Sequence, residues 1–313
     1  DDMAEAFARC RGEAAAAFGD GALFLERLLE RPRHIEVQVL ADAGGSVVHL
    51  YERDCSVQLR HQKVLEIAPA PGLAAALRQR LHDDAVRLVR EAGYVNAGTV
   101  EFLVTPETDS YCFIECNPRI QVEHTVTEEV TGIDLVAAQF RIAAGASLAD
   151  LGIAGQDAVA APRRYAVQAR VTVRGAGTLT AYREPSGPGV RVDGSGYLGY
   201  APPPQFDPLL AKVIGSAGVP GAAGNGESES AYRAALERTR RALAEFHIDG
   251  VATNLGELQA LLTHPAVMAG DARVTLLLES PELLTAAPAP AGGAAALPPD
   301  GVAPALGAAA CGR

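Results

Sequence analysis

The chain has 313 residues, 48% hydrophobic and 21% charged, with a formal net charge of −11 at pH 7. This balance suits a globular protein with room for two domains, and the acidity argues against a nucleic-acid surface or a polybasic membrane patch. There is no apolar run of about 18 residues and no secretory n-region/h-region pattern, and five cysteines without a CxxC pair point to reduced thiols in a cytoplasm.

Residues 2–18 read as an amphipathic helix, with Met3, Phe7, Cys10, Ala14 and Ala17 at helical spacing. A short apolar run, ALFLERLL, follows at residues 22–29. Residues 31–40 (RPRHIEVQVL) alternate His34, Glu36 and Gln38 with Ile35, Val37 and Val39, the pattern of a half-buried strand. Residues 46–51 are its partner across an AGG turn. ERDCSVQLRHQK comes next, with neither a helical nor a strand stripe. Its Gln58, Arg60, His61 and Lys63 form a donor-only run suited to anionic oxygens. Lys63 and Lys212 are the only lysines among 27 basic residues. Either chance or a need for a compact ammonium would leave them there. Leu73, Leu77, Leu81, Ala85, Leu88 and Ala92 trace the apolar face of a helix stopped by Gly93.

The stretch at residues 98–129, GTVEFLVTPETDSYCFIECNPRIQVEHTVTEE, carries the chemistry. TVEFLV and YCFIEC are strand-like and joined by a polar loop, a hairpin. A turn centred on Thr108 places Glu101 opposite Glu115. Facing like charges are destabilising unless a divalent cation sits between them, since hard cations take carboxylate oxygens. Counting by twos from Glu115, one extended face carries Glu115, Asn117, Arg119, Gln121 and Glu123. Carboxylate and amide oxygens come first, as for magnesium. Arg119 can then hold a planar anion bidentately, and Glu123 is a candidate base. A solvated strand face is the competing reading, but it leaves Glu101 and the Asn-Pro-Arg turn unexplained.

Further along, a helix is expected at residues 134–144 and a domain boundary at residues 151–162. Residues 165–173 form a strand. Residues 187–200 are Gly-rich and strand-like, and residues 219–230 read as a mobile loop. Tyr232, Ala235, Leu236, Thr239 and Leu243 mark another helix, and Thr253 or Asn254 caps the last clear one. Residues 286–313 are almost all Ala, Pro and Gly and read as a disordered linker.

FIECNPRIQVEHTVTEEVTG resembles the signature of biotin carboxylases, the ATP-grasp component of biotin-dependent carboxylases. RPRHIEVQVL, ERDCSVQLRHQK, PAPG, GVRVDG, FDPLLAK and FHIDGVATNL resemble family segments in the same order, over nearly all of residues 1–285. The resemblance implies an α+β fold: the C-terminal half of an ATP-grasp domain, with an antiparallel sheet and flanking helices, followed by a β-rich biotin carboxylase C-terminal domain. Residues 1–28 would be a remnant of the lid subdomain, 29–155 the subdomain with the metal and bicarbonate site, and 163–285 the C-terminal domain. The first lobe and its Gly-rich phosphate loop would lie upstream, so the chain alone is expected to be incomplete for catalysis.

The resemblance also implies the ligands: ATP, Mg2+ (or Mn2+), bicarbonate, and biotin on a carrier domain. A carboxyltransferase would be a further partner and a homodimer a candidate assembly. Glu101, Glu115 and Asn117 would hold the metal. Glu26, Arg27, Leu29, His34, Gln58, His61, Glu101, Leu103, Gln121 and Val122 would line the nucleotide and bicarbonate site. Arg119, Lys63, Glu123 and Arg170 would be catalytic, with Glu123 as base and Arg170 toward biotin. Two departures stand out. Arg27 replaces a usual lysine, and VTVRGAGTLTAY follows Arg170 where the family has a longer loop. Residues 177–199 lean toward acyl-CoA carboxylases. The alternatives are another ATP-grasp ligase, such as a carbamoyl-phosphate synthetase domain, and a degenerate module serving as an interface.

Overall fold

The computed structural model describes residues 2–218 and 225–287, with residues 225–228 described only in their backbone. It divides into two compact units, Asp1–Glu30 and Arg31–Arg313. The first unit contains helix α1 (Met3–Phe18). The Asp2 side chain accepts from the Ala4 amide at its start, and Gly19 at φ 73° ends it in the left-handed conformation.

Nine strands among the described residues of the second unit join one sheet, and every pairing is antiparallel. They are β1 (Arg33–Ala41), β2 (Val47–Leu59), β3 (Gln62–Ala68), β4 (Asn96–Thr105), β5 (Ser110–Asn117), β6 (Arg164–Arg174), β8 (Val190–Gly194), β9 (Leu209–Gly218) and β11 (Ala252–Thr253). The order is β5-β4-β1-β2-β3-β6-β9-β8, with β11 also on β6. β7 (Ala181–Arg183) pairs separately with β10 (His247–Asp249). The antiparallel sheet with flanking helices is the fold class that the sequence implies. The sheet nevertheless runs unbroken past residues 151–162, because β3 pairs directly with β6.

Each side of β1 has its own partner. Ile35, Val37 and Val39 pack with Val100, Phe102 and Val104 against Leu77, Leu81, Ala85 and Val89 of α2 (Ala75–Glu91). Each such buried aliphatic side chain contributes roughly 1.5–3 kcal/mol. Leu40 joins Val48, Leu50 and Ala97 against α4 (Leu135–Ala143). Val167, Ala169 and Val213 of β6 and β9 pack under α5 (Asn225–Glu245) and α6 (Leu255–Thr263). His34, Glu36 and Gln38 are left facing the functional side.

Several expectations need correction. Residues 52–59, read as irregular, continue β2 to Leu59, and a two-residue turn at Arg60 and His61 leads into β3. The alternating stripe is hidden because Arg53, Asp54 and Ser56 are buried polar residues. Residues 225–230, read as loop, are the start of α5, where Glu229 and Arg233 form an i,i+4 pair. Asn254 occupies the N-cap position of α6 without a capping bond. Its amide instead accepts from Thr172 N and donates to Arg170 O, clamping β6. In keeping with the short segment read after Arg170, β6 simply continues to Arg174. The Ala/Pro/Gly linker expected at residues 286–313 lies, beyond residue 287, outside the described residues.

Candidate active site

The β4–β5 hairpin pairs Glu101 with Glu115, as read from the sequence, but by another route. The turn places Thr105 opposite Ser110, and a register shift between Glu101 and Phe102 then restores the Glu101–Glu115 pair. A bulge of this kind re-aims a side chain. The amide of Asn117 donates to both carboxylates, 3.0 Å to Glu101 Oε1 and 2.9 Å to Glu115 Oε1. Glu101 is buried and Glu115 exposed, so the pair spans from the interior to the rim.

The row beyond Asn117 is not an extended face, because β5 ends there. Residues 121–124 form a turn closed by His124 N donating to Gln121 O at 3.2 Å, and α3 (His124–Thr131) begins. Val126 and Val130, four residues apart and both buried, with Gly132 at φ 73° ending the helix, are its signal in the sequence, which the strand reading passed over. The turn, not strand parity, brings Gln121 and Glu123 back to the site. Gln121 Nε2 donates to Glu101 Oε1 at 2.8 Å. Glu123, 2% exposed, is gripped on both oxygens: Lys63 Nζ is 2.6 Å from Oε1 and an Arg170 terminal nitrogen 2.9 Å from Oε2.

Lys63 is the hub. Its ammonium also reaches Glu36 Oε2 at 2.5 Å and Glu101 Oε1 at 3.1 Å. Burial alone would lower its pKa, but the charges of Glu36, Glu123 and Glu101 outweigh that and hold it above the ordinary lysine value. Burial likewise opposes the ionisation of Glu36 and Glu101. Arg53 and Lys63 overcome it for Glu36, and His34 and Lys63 for Glu101, bringing each down to about 2. Below lies Arg53, 0% exposed, bonded to Glu36, Gln38, Thr127, Thr99 and Gln121. On the other flank Arg170 Nε donates to Glu66 Oε1 at 2.5 Å, and Gln168 holds the second Glu66 oxygen.

His34 is buried, with Nδ1 2.8 Å from Gln58 Nε2 and so acting as acceptor. Nε2 is left protonated, 2.6 Å from Glu101 Oε2 but outside hydrogen-bond geometry. Leu103 lies beside His34 in register. Some expected residues fall elsewhere. His61 sits exposed at the hairpin tip. Arg119 is exposed and does not pair with Glu123; its guanidinium donates to Ile120 O and Asn117 Oδ1. Glu26, Arg27 and Leu29 belong to the first unit, where Glu26 and Arg27 are exposed.

The donor set fits a divalent cation. In the connected network Glu36, Glu66, Glu101, Glu115 and Glu123 outnumber Lys63, Arg53 and Arg170. Surplus negative charge gathers where Glu101 and Glu115 converge on one amide, and these are hard oxygen donors. His34, Glu36 and Glu101 also lie close enough together to hold an ion, but the Lys63 ammonium already fills that acid pocket. Glu36, Arg53 and Glu66 are functional-side residues that sequence reasoning missed, and Lys212, singled out only as one of two lysines, was given no place in the site. Glu36 had a visible signal, since it shares a stripe with His34, but that stripe read as solvent-facing.

Residues 1–151 match the family model described as the carbamoyl-phosphate synthase L chain ATP-binding domain, and residues 168–279 the biotin carboxylase C-terminal domain. Pyruvate carboxylase from Pichia angusta is 48% identical over 292 residues, covering 90% of this chain and 24% of the relative. The biotin carboxylase domain of a single-chain bacterial carboxylase is 49% identical with a TM-score of 0.77, covering 88% of this chain and 61% of that one. The biotin carboxylase domain dimer of the 2-oxoglutarate carboxylase from Hydrogenobacter thermophilus, solved with MgADP, ADP and bicarbonate, is 36% identical with a TM-score of 0.80, covering 90% and 60%. The chain thus spans about a quarter of the length of the curated relative, which it covers to 24%, and about three fifths of the solved domains, at 60–61%. No helix among the described residues is long and apolar enough to cross a membrane.

Proposed function

The chain belongs to the biotin carboxylases, and we propose that it supplies the metal- and bicarbonate-handling part of ATP-dependent biotin carboxylation. The observation that carries this reading is the Glu123 carboxylate, buried and held between Lys63 and Arg170 in the same network as Glu101. The substrates are ATP, bicarbonate and biotin on a carrier domain, with a carboxyltransferase and a second copy of the chain as further partners.

In this reading a bicarbonate oxygen attacks the γ-phosphorus, the bond to the β,γ-bridging oxygen breaks, and ADP leaves carboxyphosphate behind. Glu101, Glu115 and Asn117 would hold Mg2+ (or Mn2+), which when bound would supply positive charge to the phosphate oxygens. Glu123 takes the bicarbonate proton. Lys63 and Arg170 occupy only one direction on each of its oxygens, and each carboxylate oxygen has two, so an acceptor position stays open. Arg119, whose present acceptors are neutral oxygens, turns to clamp bicarbonate with Gln121 and the Val122 amide. His34, Gln58, His61 and Leu103 face the nucleotide. Arg170 then faces the biotin ureido oxygen.

The acceptor class we assign is a small 2-oxo acid. The curated relative is named as a pyruvate carboxylase and a solved neighbour as a 2-oxoglutarate carboxylase; the acyl-CoA lean of residues 177–199 stands as the second reading, since another solved neighbour, 45% identical, is a long-chain acyl-CoA carboxylase. The match of residues 168–279 to the biotin carboxylase C-terminal domain weighs against a carbamoyl-phosphate synthetase. The test is Glu123→Gln in the intact polypeptide that contains residues 1–313. Bicarbonate-dependent ATP cleavage should vanish while nucleotide binding, read by calorimetry, persists. Full activity in that variant would disprove the base assignment.

A further inference from the structure

The second lysine, Lys212, is in contact with the same turn. It lies on β9, in register with Arg170 of β6 on one side and Asp193 of β8 on the other. Its side chain is 12% exposed and its ammonium has two partners, Asp193 Oδ2 at 3.1 Å and the Val122 carbonyl oxygen at 3.3 Å. That carbonyl belongs to the peptide unit leading into Glu123. A peptide is planar, so fixing its oxygen fixes the direction of the Glu123 N–H and the place of its Cα, from which the Cα–Cβ bond follows at the Glu123 φ of −82°.

The turn has few other restraints. His124 N donates to Gln121 O and Val126 N to Glu123 O. The Glu123 side chain makes no cap bond to α3, although it stands at the N-cap position. Its carboxylate is thereby available to Lys63 and Arg170, and its backbone is oriented from outside the helix. Asp193 is itself held by Arg191, through Nε at 2.9 Å and a terminal nitrogen at 3.1 Å, and Arg191 also reaches Glu128 Oε2 on α3 at 2.8 Å. The two strands therefore hold the turn and the helix after it as one piece.

We propose that Lys212 is a positioning residue: by holding the Val122–Glu123 peptide it sets the aim of the Glu123 carboxylate, a role that rests on Glu123 being the base. Misplacing a reacting group by a fraction of an ångström to an ångström costs about ten- to a hundredfold in rate. Arginine can also donate to a carbonyl, whereas methionine keeps the stem and loses the donor.

The experiment compares wild type, Lys212→Met, Lys212→Arg and Glu123→Gln in the intact polypeptide, reading kcat and KM for bicarbonate-dependent ATP cleavage across pH. Lys212→Met should lose about tenfold or more in kcat, with KM for ATP unchanged, and Lys212→Arg should recover most of the loss. If Glu123→Gln is inactive and Lys212→Met turns over like wild type, the positioning role is wrong and the base assignment stands. If Glu123→Gln is active, the base assignment itself fails, and this proposal with it. Should Lys212→Met fail to fold, the Lys212→Arg profile decides: wild-type kcat supports the proposal, and a loss matching that of Glu123→Gln overturns it.

Discussion

Lys63 and Lys212 flank the same turn from different strands and do opposite work. Lys63 sits among Glu36, Glu101 and Glu123, so its charge is what lets those acids lie together. Lys212 touches a single acid, already paired with Arg191, and one neutral carbonyl. Loss of the first disturbs charge balance. Loss of the second disturbs only direction. An ammonium in an acid pocket is an electrostatic component, while an ammonium on a carbonyl is a geometric one.

The largest effect is expected beneath the Lys63 pocket. Arg53→Met removes the guanidinium from a site with no solvent access and leaves Glu36 with one cation fewer. Breaking a buried pair from one side costs about 3–5 kcal/mol, which urea unfolding would register as a lower midpoint. A change under 1 kcal/mol would mean that the pocket tolerates uncompensated charge and would erase the contrast between the lysines. Next comes Lys63→Met, which should lower bicarbonate-dependent ATP cleavage by about 10²–10³-fold, against about tenfold for Lys212→Met. Equal losses would collapse the distinction.

The pH response sharpens it further. Glu36 and Glu101 sit at about 2 in the fold against an ordinary 4.5. A lowered carboxylate stabilises fully above its unfolded value and loses that contribution as pH falls through the folded one. Melting temperature should therefore drop between about pH 4.5 and pH 2. Lys63→Met, which removes one cause of both shifts, should flatten the drop more than Lys212→Met, which removes one cause of the lowering at Asp193 alone. Identical curves for the two variants would contradict the assignment. The smallest effect lies at the hairpin tip, where Arg60 and His61 hold φ 50° and 65° without being glycine. Asn-Gly is the favoured pair there. Replacing Arg60 with Asn and His61 with Gly should raise stability by about 1 kcal/mol, and a simultaneous rise in KM for ATP would place His61 at the nucleotide.

The sequence shows the hairpin and the acid, amide and arginine order after it, because β-branched runs and alternation are local signals; its register is only half legible, since the Glu101–Glu115 pair depends on a bulge that no local signal marks. It conceals whether a polar stripe faces water. All nine residues of β1 are buried, since Arg53 and Lys63 compensate Glu36 from strands far along the chain. Periodicity reports which side chains share a face but not what covers it. The same limit hid the turn at Gln121, where a strand rule happened to group residues that a helix start brings together.

The bond ladder from β3 to β6 has a consequence for heredity. The two pieces that family models recognise separately are sewn edge to edge, with Leu65 against Ala169 and Ala68 against Ala166. A recombination break within residues 151–162 would bare a raw strand margin on each fragment, an invitation to aggregate. Gene shuffling that separates them should be penalised at once, so the seam is expected to travel through evolution intact while exchange happens outside it.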